Sequence, residues 1–134
     1  MKLCSFITLI AAVLLFGCAG FTQNNAELSE CASITQAKQN IEILNGQEGS
    51  VCGYLKWEFE NNNIFESKRD AKIYSNKCLS LSRPTALQNM SELNNKYVKI
   101  TGVFTKEFCP EGTLCFASCS QDYGVNIMKV EELK

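Results

Sequence analysis

The residues with the most chemistry to offer are the cysteines. The chain has 134 residues, of which 8 are Cys and none is His. Cys31, Cys52, Cys78, Cys109, Cys115 and Cys119 lie beyond an apolar leader. An even set in an exported chain reads as a framework of three disulfides whose connectivity stays open. Cys109, Cys115 and Cys119 are too crowded to pair only among themselves, so at least one must reach Cys31, Cys52 or Cys78. Their spacing lacks the C-x-x-C pairs of a zinc ribbon, and without His no metal site or cofactor is expected. The lack of C-x-x-C also argues against a thioredoxin-like redox role. Zero His removes Ser-His-Asp and Cys-His catalysis as well.

Two carboxylates remain as a catalytic candidate. Glu58 and Glu60 stand two apart in a predicted strand, about 6.5–7 Å along the backbone, within the roughly 5–10 Å that glycoside hydrolysis requires. An acidic, solvated strand face is the commoner meaning of that pattern, so no catalytic residue is assigned and the chain is read as a non-enzyme. Calcium binding by Glu58, Glu60 and Asp70 lacks the acidic loop with its central glycine. Trp57 and Phe59 can be a stacking platform, but they continue the apolar phase of Val51 and Leu55 and are expected in the core. Lys68, Arg69, Lys72, Lys77 and Arg83 form a loose basic set, read as a solvated face; with a net charge of −1, no nucleic-acid partner is expected. Phe108, Leu114 and Phe116 lie on the Cys109–Cys119 loop, where a disulfide brace and apolar tips suit binding to a protein; the competing reading is a cap on the end of the fold.

The leader gives the address. Lys2 is followed by an apolar run from Phe6 to Phe16 and then by Gly17, Cys18, Ala19 and Gly20. That is a signal peptide over 1–17, short of the roughly 20 apolar residues of a membrane span. Leu15-Phe16-Gly17-Cys18 resembles a bacterial lipobox, which implies that Cys18 is acylated and becomes the mature N-terminus, with Ala19 behind it favouring the outer membrane. The alternative is cleavage after Ala19 or Gly20 to give a soluble periplasmic or secreted protein. Asn89-Met90-Ser91 is a glycosylation triplet, but it falls on a predicted helix. Phe21–Glu30 is polar and aperiodic, so 18–30 reads as a tether, and 31–134 as one domain.

Within that domain the periods change. Ile34, Ala37, Ile41 and Leu44 recur at helical spacing after the capping-box pattern Ser33-x-x-Gln36, which predicts a helix over 34–44 that Cys31 can pin to the body. Residues 50–60 alternate as a strand, with Gly53 marking a bulge or sharp coil. Asn61–Asn63 reads as a turn. Ile64–Glu66 and Ala71–Tyr74 are short strand candidates about a charged turn at Ser67–Asp70. Further strands are expected at 77–82, 97–106 and 125–130, with a short helix from Pro84 to Leu93. The fold class is therefore mainly β with two short helices.

Val51-Cys52-Gly53-Tyr54-Leu55 and Ile100-Thr101-Gly102-Val103-Phe104 are both hydrophobic strands interrupted by glycine, as in sharply coiled small barrels. Together with Ile41–Gly46, Val51–Glu60 and Leu93–Gly102, they make the chain resemble a group of small exported bacterial (lipo)proteins of unknown role with an OB-like fold. The resemblance implies a disulfide-braced, OB-like five-stranded barrel with its helix between the third and fourth strands, and no catalytic residues. The expected function is that of an exported cell-envelope lipoprotein, a small binding module for a protein or an envelope component. The alternatives are an inhibitor or immunity-type protein of the periplasm, a structural lipoprotein with no discrete ligand, and a cell-wall glycan hydrolase.

Overall fold

Alternation of apolar side chains builds the sheet. The computed structural model describes residues 31–82, 90–109, 111–112, 119 and 123–134. The strands are β1 Glu48–Glu58, β2 Asn61–Phe65, β3 Cys78–Leu81, β4 Tyr97–Thr105 and β5 Gly124–Glu132. Around the sheet the order is β1-β2-β3-β5-β4, and β4 returns to β1, so five strands close into a ring. Every pairing is antiparallel except β3 with β5. β1 is long enough to serve two neighbours: Glu48–Tyr54 pairs with β4 and Tyr54–Glu58 with β2.

The inward positions form one cluster. Val51, Leu55, Ile64, Leu79, Val98, Ile100 and Val125 are wholly buried, and Phe104 nearly so. Two helices complete the cluster. α1, Ile34–Gln39, begins at a capping box in which Ser33 accepts from the Gln36 backbone N–H and the Gln36 side chain accepts from that of Ser33. α2, Ile41–Leu44, follows after Asn40. The predicted 34–44 helix is thus broken once, at Asn40, yet Ile34, Ala37 and Ile41 all reach the core.

Gly53 is explained by close approach. No bulge interrupts β1 there; a Cβ on Gly53 would run into the Phe65 carbonyl oxygen and the Ile64 side chain, so only glycine lets β1 coil this tightly over β2. The register shift lies instead between β4 and β5, at Thr101/Gly102. Gly102 meets the Asn126 carbonyl in the same way.

Four expectations are corrected. The turn expected at 67–70 and the strand expected at 71–74 are replaced by a helix, α3, Lys68–Lys72, whose N-cap Ser67 accepts from the Asp70 N–H at 3.1 Å, with Ile73 and Tyr74 in the turn that follows. Among the described residues there are three short α-helices, since the 34–44 helix is broken at Asn40 and α3 is added. Asn61–Asn63 belongs to β2, and the turn is Phe59–Glu60. Phe59 consequently leaves the core and is 83% exposed, while Trp57 stays partly buried against the core cluster. Of the predicted Pro84–Leu93 helix, Met90–Leu93 is a 3-10 turn with Met90 buried, and residues 83–89 lie outside the described residues. The leader, Cys18 and the tether also lie outside them.

Two disulfides tie outlying chain to the ring. Cys31 bonds Cys52 of β1, pinning the approach to α1 as expected, with Cα atoms 5.5 Å apart. Cys119 bonds Cys78 of β3, Cα atoms 5.9 Å apart, so a member of the C-terminal trio does reach back to the body. Cys109 is disulfide-bonded as well, and Cys115 lies outside the described residues.

Candidate functional site

The outward faces of β1, β2 and β3 form rows that the register defines. Side chains alternate along each strand, so the positions that face away from the core are Tyr54, Lys56 and Glu58 on β1, Phe65, Asn63 and Asn61 on β2, and Cys78 and Ser80 on β3. One row is Tyr54, Phe65 and Cys78; the next is Lys56, Asn63 and Ser80, continuing to Gly124 of β5; the last described pair is Glu58 and Asn61.

The first row is covered. Tyr54, Phe65 and Cys78 form a second, small buried cluster with Ala71 of α3, and Cys119 packs against it. Tyr54 meets Tyr97 edge-on at 5.2 Å between ring centroids, and Phe65 meets Tyr74 at 6.3 Å. α3 is held down by polar contacts at its ends. Asp70 accepts from the hydroxyls of Ser67 and Ser75, the latter at 2.9 Å. The Tyr97 hydroxyl accepts from the Lys68 backbone N–H at 3.2 Å. The Ser67 hydrogen bond, then that of Ser75, holds the Asp70 carboxyl below the usual carboxylate range.

The second row is polar and yet buried. Asn63 and Ser80 are each 1% exposed although they face away from the main core. The Asn63 amide donates to the Asn61 side-chain oxygen. Lys56 pairs with Glu58 at 3.5 Å. The half-buried ring of Phe108 lies against Gly124 at the end of this row, where a Cβ would collide with it. Beyond the row stands the exposed Phe59 turn. The amide and hydroxyl of this row are therefore buried, and what the face leaves open is its margin at the β1–β2 turn, where Phe59 projects beyond the Lys56–Glu58 pair.

Of the residues singled out for protein binding, Phe108 is brought to this face, and Leu114 and Phe116 lie outside the described residues. Glu58 ends β1 beside Lys56 and Glu60 lies in the turn that follows, so the two do not share a strand. Among the described residues no group of three or more His, Cys, Asp or Glu side chains gathers where it could hold a metal, and no helix is long and apolar enough to cross a membrane.

A second feature adjoins α3. An open cleft of about 280 Å³ is lined by Cys31, Gln36, Cys52, Glu66, Tyr97 and Leu133 among others. Glu66 accepts from the Thr35 backbone N–H at 2.7 Å and from its hydroxyl at 3.1 Å, joining the first turn of α1 to the residue before α3's cap. Lys38, its ordinary pKa lowered by burial, donates to the Asn76 carbonyl at 2.6 Å.

Sequence reasoning missed the buried polar row and the Ser67–Asp70–Ser75 network. The second was signalled by Ser67-x-x-Asp70, a cap pattern of the same kind as the one recognised at Ser33. The first had no local signal, because the burial of Asn63 and Ser80 depends on what the fold lays over them. No family model, no curated protein and no solved structure matches this chain.

Proposed function

We propose that this chain is an exported, lipid-anchored and disulfide-braced domain of OB-like architecture that binds another envelope protein or an envelope component at the β1–β2 turn end of the outer face of β1–β2–β3. The strand order, the parallel β3–β5 pairing and the helical turn before β4 support the OB-like reading. In folds of that kind the outer face around strands 2 and 3, with the loops joining strands 1–2 and 4–5, is where ligands sit. The observation that carries the proposal lies on that face: Phe59 projects 83% exposed from the β1–β2 turn, and the β4–β5 connection is stapled to β3 through Cys119. The covalent brace suits a compartment where disulfides persist, and Cys18, acylated, would hold the domain at the membrane. An inhibitor of an envelope hydrolase is the sharpest form of this function.

The test has two arms. Intact mass of protein recovered from the envelope should show acylation at Cys18, and reduction should add two hydrogens for each of three bridges. Photo-crosslinkers placed at position 59 should capture a partner that the same group at Ile43, also exposed at 76% but on α2, does not. Free thiols in the recovered protein, or equal labelling from both positions, would count against the reading.

A further inference from the structure

α3 carries a surface that the binding face does not use. Lys68, Arg69, Lys72 and Lys77 are all exposed, and none is among the salt bridges of the described residues. Beside them Ile73 and Tyr74 are 64% and 62% exposed. Tyr74 adopts a left-handed backbone, φ 48°, where glycine or asparagine is the usual residue after a helix. Four cations around an exposed aliphatic and an exposed aromatic residue are the chemistry of an interfacial contact with an anionic bilayer. Asp70 offsets part of this charge: its bonds from Ser67 and Ser75 favour the carboxylate, which interacts with Lys77 and Arg69, so cations still outnumber the adjacent anion, while Glu66 is turned to Thr35.

The place in the fold matters as much as the chemistry. Cys31, where the described chain begins, lines the same cleft as Glu66 and Tyr97. Glu66 directly precedes the α3 cap, and the Tyr97 hydroxyl holds the Lys68 N–H. The chain arriving from residues 1–30 thus enters beside the basic helix. From Cys18 to Cys31 the chain can span at most about 45 Å. A tether that short, attached at this corner, keeps the helix at high effective concentration at the bilayer.

We propose that α3 is a docking surface for an anionic phospholipid bilayer, with Lys68, Arg69, Lys72 and Lys77 meeting headgroups and Ile73 and Tyr74 entering the interface, so that the domain rests on the membrane in one orientation. The orientation rests on the lipid-anchored reading above; the surface chemistry does not.

The test uses the mature, acylated chain on vesicles of phosphatidylcholine alone and of phosphatidylcholine with phosphatidylglycerol. Flotation reports the anchor. Amide exchange across 68–74 and acylation rates of Lys68, Lys72 and Lys77 report docking. Protection is expected on the anionic vesicles only and should fade at high salt. Each charge removed, as in K68Q and K72Q, should lower the docked-to-free ratio about fivefold. Tyr74→Gly removes the ring while relieving the left-handed backbone, so it should weaken docking without unfolding the domain. Flotation on both vesicle types with no difference in protection overturns the docking surface and leaves the anchor intact. Failure to float on neutral vesicles overturns the anchor, and cosedimentation with the anionic vesicles then decides the surface by itself. Protection that appears on neutral vesicles only when a soluble protein extract is added assigns α3 to a protein partner and overturns the proposal.

Discussion

The inside of the ring and the layer laid on its outside are stabilised by different means. The inner cluster runs from Ile34 through Val51, Leu55 and Phe104 to Val125 and Ile127, aliphatic side chains with Phe104 among them, contributed by every strand and by both N-terminal helices. The outer cluster is four buried residues, Tyr54, Phe65, Ala71 and Cys78, with Cys119 against them. So small a cluster buries little apolar surface, at roughly 25 cal/mol per Å². It is completed instead by a disulfide, an N-cap and a carboxylate held by two hydroxyls. Burial organises the ring; covalent and polar contacts hold what lies upon it, which is also where the candidate binding surfaces are.

That difference can be broken first from the inside. Phe104 is 1% exposed and its ring packs on Gly49. Phe104→Ala should cost about 3–5 kcal/mol in urea unfolding and lower the amide protection of all five strands together, because the cluster is shared. A loss confined to β4 would mean that the inner cluster is less cooperative than its contacts imply.

Replacing Cys78 and Cys119 together by Ala opens a bridge across 41 residues. The chain-entropy argument expects a loss of roughly 3–4 kcal/mol. The sharper expectation is spatial: amide exchange should rise most in α3 and around the outer row, and least where Glu48–Cys52 of β1 pairs with Lys99–Val103 of β4, away from that bridge. Uniform loosening would erase the distinction between the two layers.

The smallest effects belong to the α3 cap. Ser67→Ala should cost about 1 kcal/mol, read as faster exchange at residues 68–72. Asp70 supplies the pH dependence. Its folded-state pKa lies below the unfolded value, with the Ser67 hydrogen bond the largest cause. Its contribution is therefore fully present above the usual carboxylate pKa and is lost as the pH falls through the lowered, folded value. Acid titration of the wild type should loosen α3 before the ring, and Ser67→Ala should shift that loosening to higher pH.

Particular residues show how far the sequence could be read. The strands around Val51–Leu55 and Val98–Ile100 were legible because alternation is a local property of a half-buried strand. Helix α1 was legible because Ser33 and Gln36 form its cap within four residues of chain. Phe59 was misread since its apolar phase matches Leu55 and Trp57, and only the position of the turn decides that β1 ends one residue earlier. Residues 71–74 were misread as a strand because so short a run has no period of its own, and the contact of Ala71 with Phe65 and Cys78 makes the helix worthwhile. The outward row Asn63–Ser80 was invisible, as burial of a polar pair on an outer face is a property of neighbours distant in sequence.

By itself the sequence determined much of the inner half of this protein: which segments alternate, that glycine interrupts two coiled strands, and that the cysteines form cross-links. Tertiary structure alone decided which cysteines meet, that the ring closes through a parallel β3–β5 pair, and that α3 sits beside the entry of the chain with its cations outward. The physical reason is one of range. Hydrophobic period and capping act over a few residues, whereas disulfide pairing, ring closure and the juxtaposition of surfaces depend on chain segments tens of residues apart arriving at the same place.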